Sequence, residues 1–450
     1  MDKRTARKTF FNKSMLIGIP VILQNLISIS LNLLDTIMIG RLGENEVAAV
    51  GAANQVYFIF TVSLFGLFSG AAVYTAQYWG AKNIEGVHKM VGIDYFVGSV
   101  LAIFVSVLSC FFANYIIHIF SSDQAVVKIG AEYLRIVCIS YIFGTISMAI
   151  SYNCRAVQNL RAPTIITLIA FFMNAFLNYI LIFGAFGIPQ LGVKGAAVAT
   201  LISRIFECLS LLLYIIFDKS HPLHANLRSL SSFSKDMFFR VMKTAIPVVV
   251  TEGSWALSFS LILAAYGKLG TSALAVAQVA NVVVNLLQSV YFGVGNSTAV
   301  IIGESLGQKN KEKAQYFGKL SLIMVFILNV VITVILLLFS KSIAGIYAFN
   351  AVTTELLIKT IMIEALLITP KMTAYLFIVG ILRAGGDTLF CMKLEIFCNL
   401  CVSLPLAYLC VLVFKTSLPM AIAIVDIGDL IRILVCYPRY KSKKWMNIFT

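Results

Sequence analysis

Apolar stretches of twenty or more residues recur from one end of this chain to the other, and that pattern decides what it can become. A helix rises 1.5 Å per residue, so about 20 apolar residues cross the ~30 Å hydrocarbon layer of a bilayer. Twelve such stretches run along the 450 residues, at roughly 15–39, 47–76, 91–117, 127–150, 164–185, 194–217, 240–266, 272–303, 316–340, 352–380, 388–414 and 417–437. In lipid each must bond its own backbone polar groups, which makes each a helix. A soluble alternative fails on charge: 12% of residues are charged, against about 25% in soluble domains. The net charge of +15 would suggest a nucleic-acid partner for a soluble chain. Here the basic residues cluster in short connections, where they orient membrane helices, so no nucleic-acid partner is expected.

The positive-inside rule tests the count. With the N-terminus in the cytoplasm, inner segments hold 24 Lys and Arg and outer loops hold seven, with four more inside spans. One helix more or fewer would invert the pattern downstream. A multi-pass protein of the cell membrane with both termini cytoplasmic is therefore expected. The longest polar interruption, Asp218 to Lys243, reads as a cytoplasmic linker, 218–243, between the bundles 1–217 and 244–450.

Those two parts are related in sequence. Ile19-Pro20-Val21 and Ile246-Pro247-Val248 are 227 residues apart, and the same offset carries Gly40, Gly43, Ala53-Asn54, Gly80 and Lys82-Asn83 onto Gly267, Gly270, Ala280-Asn281, Gly307 and Lys309-Asn310. Across 18–83 and 245–310, 18 of 66 positions are identical. One residue out of register, Arg155-Ala156 matches Arg383-Ala384. Six spans per half means both halves cross in the same direction, a parallel repeat about an axis along the membrane normal. The expected fold is all-α: twelve transmembrane helices as two six-helix bundles related by a pseudo-twofold, meeting in a central cleft.

Catalytic chemistry finds little support. The nine Cys lie in or beside apolar runs, and the single CxxC, Cys398 and Cys401, has no second pair or nearby His to complete a zinc site. The four His fall in loops or near span ends, and there is no HExxH or GxSxG. Neither an enzyme nor a metal cofactor is expected.

Several stretches carry a family resemblance: Ile19-Pro20, Asp35-Thr36 with Met38-Ile39-Gly40, Ala76-Gln77-Tyr78-Trp79-Gly80, Gly195-Ala196-Ala197-Val198-Ala199-Thr200, Glu252 with Trp255, and Arg383-Ala384-Gly385-Gly386-Asp387. In order and spacing the chain resembles the multidrug and toxic compound extrusion (MATE) family over nearly its whole length. The resemblance implies antiport, in which cationic, often aromatic compounds leave as Na⁺ or H⁺ enters. Small organic cations and the bilayer are then the expected partners, and a monomer the expected form. The nearest rival is a flippase for lipid-linked sugars on the same fold, which would line its cleft with Arg and Lys to hold a pyrophosphate.

An ionisable residue at bilayer depth is costly unless it meets a partner or a wet cavity, so each is a functional candidate. Asp35 has no base within a helical turn. Asn25, Ser28, Asn32 and Asp35 form one polar stripe on an apolar helix, which should face water. The resemblance implies that Asp35 takes the coupling cation, with Asn174, Asn178 and Thr200. In the family the second Asn position is often Asp, and interhelical hydrogen bonding is the alternative role for the pair. Glu252 is expected to bind substrate or a proton, with a structural pair to a distant Arg or Lys as the alternative. Asn25, Asn32, Asn281 and, from the resemblance, Tyr133 are further substrate candidates. Arg204 with Glu207, Glu132 with Arg135, and the stripe Asp426, Asp429, Arg432 are read as structural charge sets, with Glu364 and Lys371 on one face but out of contact. Pro20 and Pro247 are candidate hinges, because proline removes a backbone bond and permits a bend.

Overall fold

The computed structural model describes residues 3–347 and 349–450, and among them there is no strand. Among the described residues eleven helices are long and apolar enough to cross a membrane. They are α1 (Lys3–Gly40), α2 (Glu44–Gly80), α3 (Ile84–Phe111), α4 (Gln124–Ala156), α5 (Arg161–Phe183), α6 (Val193–Phe217), α7 (Lys235–Gly267), α8 (Thr271–Gly307), α9 (Lys311–Ala344), α10 (Ala351–Leu382) and α11 (Thr388–Val413). The twelfth expected span is broken at Asp426 into α12 (Leu418–Val425) and α13 (Ile427–Lys441). Short helices at Ala113–Phe120 and Leu227–Leu230 fill connections.

The repeat read from the sequence is present in local geometry. Helices α1, α2 and α3 end, span and begin at Gly40, Glu44–Gly80 and Ile84; α7, α8 and α9 do so 227 residues later at Gly267, Thr271–Gly307 and Lys311. Gly43 and Gly270 hold φ of 152° and 114°, which a side chain would resist, so the turn after the first helix of each half requires glycine. Asn83 accepts the Gly86 N–H at 2.9 Å and Asn310 the Lys313 N–H at 2.9 Å, capping the third helix of each half alike. The preceding Lys82 and Lys309 both sit left-handed, at φ 58° and 56°.

The chain forms two compact units, Leu23–Val241 and Met1–Ile22 with Met242–Thr450. The sequence grouped 1–217 together, whereas the start of α1 belongs with the second half. Two features explain this. Lys13 pairs with Glu304 on α8 at 2.5 Å. Gly18 meets Gly293 so closely that a Cβ on Gly293 would lie 2.7 Å from the Gly18 carbonyl oxygen. Helix α1 nevertheless runs unbroken through Pro20, as α7 does through Pro247.

The C-terminal unit also departs from regular α-helix. Wider π turns occupy Leu376–Leu382 within α10, and Phe397–Ser403 and Leu409–Val413 within α11. Such turns commonly mark functional or strained positions. Arg383, Glu395 and Asn399 lie in or beside them.

Candidate functional site

In the N-terminal unit, α1, α5 and α6 bring the expected coupling residues together. Asn174 and Asn178, one turn apart on α5, are 2% and 0% exposed. The Asn178 amide donates to Asp35 Oδ1 at 2.5 Å and to Asn174 Oδ1 at 3.0 Å. Asn174 in turn donates to Ser203 Oγ at 3.0 Å and Thr200 Oγ1 at 3.5 Å on α6. Asn178 Oδ1 is buried without a hydrogen-bond partner. A buried carbonyl oxygen left unpaired costs free energy, and such an atom beside a carboxylate is what a cation would satisfy.

Sequence reasoning missed one member. Arg204 was read only as the partner of Glu207, which it is, at 2.9 Å. Its other nitrogen donates to the Tyr57 hydroxyl at 3.2 Å, and its charge reaches Asp35. Thr167 completes Glu207's partners at 2.9 Å. Asp35 thus has no base within a turn of its own helix but has one on α6, a relation only the fold reveals. Tyr133, buried on α4, also lies within electrostatic reach of Asp35. The rest of the polar stripe does not converge on this cluster: Asn25 is half-buried, while Ser28 and Asn32 are exposed.

In the C-terminal unit Glu252 is not the free carboxylate that substrate binding calls for. Arg383 Nη2 donates to it at 2.7 Å, and their side chains are 3% and 16% exposed. The repeat explains the pair. In the other half the matching arginine, Arg155, donates to Gln24 Oε1 at 3.5 Å, on the matching stretch of the first helix. The arginine-to-first-helix contact is therefore built into both halves, and Glu252 is its charged version. Trp255, one turn on, stacks on Phe259 with centroids 5.8 Å apart. Asn281 lies half-buried on α8 and joins neither cluster.

Around this pair lies an ionic network larger than the sequence suggested. Arg432 bonds Asp429 at 2.6 Å, Glu395 at 3.0 Å and Asn399 Oδ1 at 2.5 Å, and Asn399 returns a bond to Glu395 at 3.0 Å. Lys371 Nζ lies 3.0 Å from both Glu364 and Asp426. Two of the expected charge sets change accordingly. Glu364 and Lys371 do touch, because a helical side chain tilts toward the N-terminus and the lysine stem reaches back along α10. Glu132 pairs with Lys194 at 3.3 Å, while Arg135 points outward, exposed.

Two buried acids escaped the sequence reading altogether, Glu395 of the network above and Asp94. Asp94 on α3 is 2% exposed and takes a 2.7 Å bond from Asn153 on α4. It sits three residues inside an expected span, close enough to the end to pass for a surface residue.

Comparison with known proteins follows this architecture. The MatE family model matches residues 20–180 and again 247–409, one copy per half. A probable multidrug resistance protein NorM of Thermotoga maritima is 27% identical over 408 residues, 89% of this chain and 86% of that protein. The probable multidrug resistance protein YoeA of Bacillus subtilis is 23% identical over 417 residues, 91% of this chain and 88% of its own. Among solved structures, a mutant of the Vibrio cholerae MATE transporter VcmN superposes with TM-score 0.89 at 16% identity, covering 98% and 99% of the two chains. A MATE crystal structure in a bent conformation superposes with TM-score 0.88 at 18% identity, covering 98% of each. The eleven apolar helices, the doubled family match and the shared fold lead to one conclusion: this chain belongs to the MatE family.

Proposed function

We propose that this protein is a secondary antiporter that expels cationic, often aromatic compounds from the cell as Na⁺ or H⁺ enters. The carrying observation is the Asp35–Asn178–Asn174–Thr200 cluster, in which a half-buried carboxylate stands beside an orphaned amide oxygen. A carboxylate held by one neutral amide, with Arg204 already shared between Glu207 and Tyr57, keeps capacity for a cation. In this reading a turn of the Asn178 amide offers its oxygen to the incoming ion, while protonation of Asp35 removes the charge instead. Either event changes the bonds that tie α1 to α5, and Pro20 lets α1 respond.

The cationic preference rests on charge. Apart from the Glu252–Arg383 pair, the network of the C-terminal unit holds four acids (Glu364, Glu395, Asp426, Asp429) against two bases (Lys371, Arg432). Every one of those bases is already paired with a carboxylate, as is Arg204, which weighs against holding a pyrophosphate and so against a lipid-linked sugar flippase. The protein acts in this reading as a monomer in the cell membrane, both termini cytoplasmic, without a cofactor. Everted vesicles given a Na⁺ or a proton gradient separately, with a fluorescent cationic dye, test the reading. Dye accumulation driven by one gradient supports it; accumulation under neither gradient refutes it.

A further inference from the structure

The N-terminal unit contains a second Asp–Asn–Thr cluster, built on α2, α3 and α4. Asn153 donates to Asp94 Oδ2 at 2.7 Å and to its own helix at Ala149 O, 2.9 Å away, while its carbonyl accepts the Thr75 hydroxyl at 3.1 Å. Thr75 and Asn153 are both 0% exposed. Val87, Val91, Ile150 and Cys154, a turn away along the same helices, belong to a packed apolar cluster that keeps water out. No Lys, Arg or His among the described residues forms an ion pair with Asp94. Tyr95, the next residue on α3, interacts electrostatically with Asp94 and with Cys154 and Cys208. His88, six residues earlier on α3, is engaged with the Pro222 carbonyl at 3.1 Å.

We propose that Asp94 is a proton-binding site of the N-terminal unit, separate from Asp35, and that it carries its proton in this conformation. An ionised carboxylate in dry surroundings needs a counter-charge or several donors, and Asp94 has one amide. A metal cation fits no better, since hard cations require oxygen ligands. Asn153 turns its N–H toward the carboxylate, and its oxygen is taken by Thr75. A proton suits a carboxylate with this set of partners.

The repeat supplies independent support. Asp94 lies ten residues beyond the first residue of α3, and 227 residues later Ser321 holds the same place on α9. Ser321 is 0% exposed and accepts a 3.0 Å bond from Thr298. The scaffold thus seats a neutral hydrogen-bonding group at this position in both halves. In one half that group is permanently neutral; in the other it becomes neutral by taking a proton.

Infrared difference spectroscopy tests this in the Asp35→Asn background, so that the outcome does not depend on the role of Asp35. Subtracting the Asp35→Asn/Asp94→Asn spectrum at neutral pH should leave one carboxylic-acid carbonyl band per chain, unchanged by added Na⁺. Carboxylate bands in its place, or loss of the acid band when Na⁺ is added, overturn the proposal. Asp94→Ser, copying Ser321, serves as a second subtraction and should leave the same band.

Discussion

Glu252 pairs with Arg383, as the structural alternative to a substrate role expects, and the energies of three variants can be ordered from the geometry. Arg383 is 3% exposed, so removing its acceptor strands a charge in the interior. Breaking one partner of a buried pair costs about 3–5 kcal/mol, the expectation for Glu252→Ala. Glu252→Gln keeps an acceptor where Gln24 already serves Arg155, so it loses only the charge-assisted part of the bond, about 1 kcal/mol. For a unit of roughly 200 residues each kcal/mol lowers the melting temperature by about 2–4 °C. Thermal unfolding of purified protein should therefore show losses of about 2–4 °C for Gln and at least about 6 °C for Ala. Glu252→Gln/Arg383→Gln should stand above the Ala variant, since neither partner is left charged. In transport assays Glu252→Gln should slow a cationic and a neutral dye equally. Selective loss of the cationic dye, with stability unchanged, refutes this reasoning and returns Glu252 to the substrate site.

Three further outcomes follow. A Cβ at Gly92 would lie 1.8 Å from the Leu230 carbonyl oxygen, so Gly92→Ala should lift the linker off α3 and speed its proteolytic cleavage at least several-fold, measured by limited proteolysis. Burial holds the His221 imidazole below its ordinary value of 6.5, and its Nδ1 accepts the Leu223 N–H at 3.1 Å, a bond that protonation removes. The unfolded loop then binds more protons than the folded one, so the loop's stability falls as pH drops below about 6.5. Cleavage near 218–224 should rise with acidity in the wild type and rise less steeply in His221→Phe, where the half-buried His88 beside the Pro222 carbonyl still titrates. Cysteines placed at Ser231 and Lys415 in a cysteine-free background should label from opposite sides of the membrane, and labelling of both from one side contradicts the topology.

The helices, the repeat and the polar face of α5 were legible in the sequence because each is a local or periodic signal. Apolar runs report spans, the offset of 227 reports the doubled turns at Gly43 and Gly270, and two Asn four apart share a face wherever the helix lies. Relations across helices were not legible. That Arg204 reaches Asp35, that Arg383 neutralises Glu252, and that Lys371 bridges Glu364 and Asp426 each depend on packing between segments dozens to hundreds of residues apart. The assignment of α1 was missed for a similar reason. Connectivity suggested that residues 1–22 stay with their own half, whereas Lys13 and Gly18 find their partners on α8. The break at Asp426 and the π turns of α10 and α11 left no periodic mark, because their sequences are as apolar as regular spans.

The coupling role of Asp35 is tested most directly by ion flux measured beside drug binding. Asp35→Asn preserves the hydrogen bond with Asn178 but removes the charge, so a cation has no anion to meet. In proteoliposomes the wild type should show Na⁺ or proton flux on addition of a transported cationic dye. The variant should bind the dye at equilibrium within a few-fold of wild type yet show no dye-triggered flux. Flux at the wild-type rate from Asp35→Asn contradicts the assignment and moves the coupling ion elsewhere in the protein.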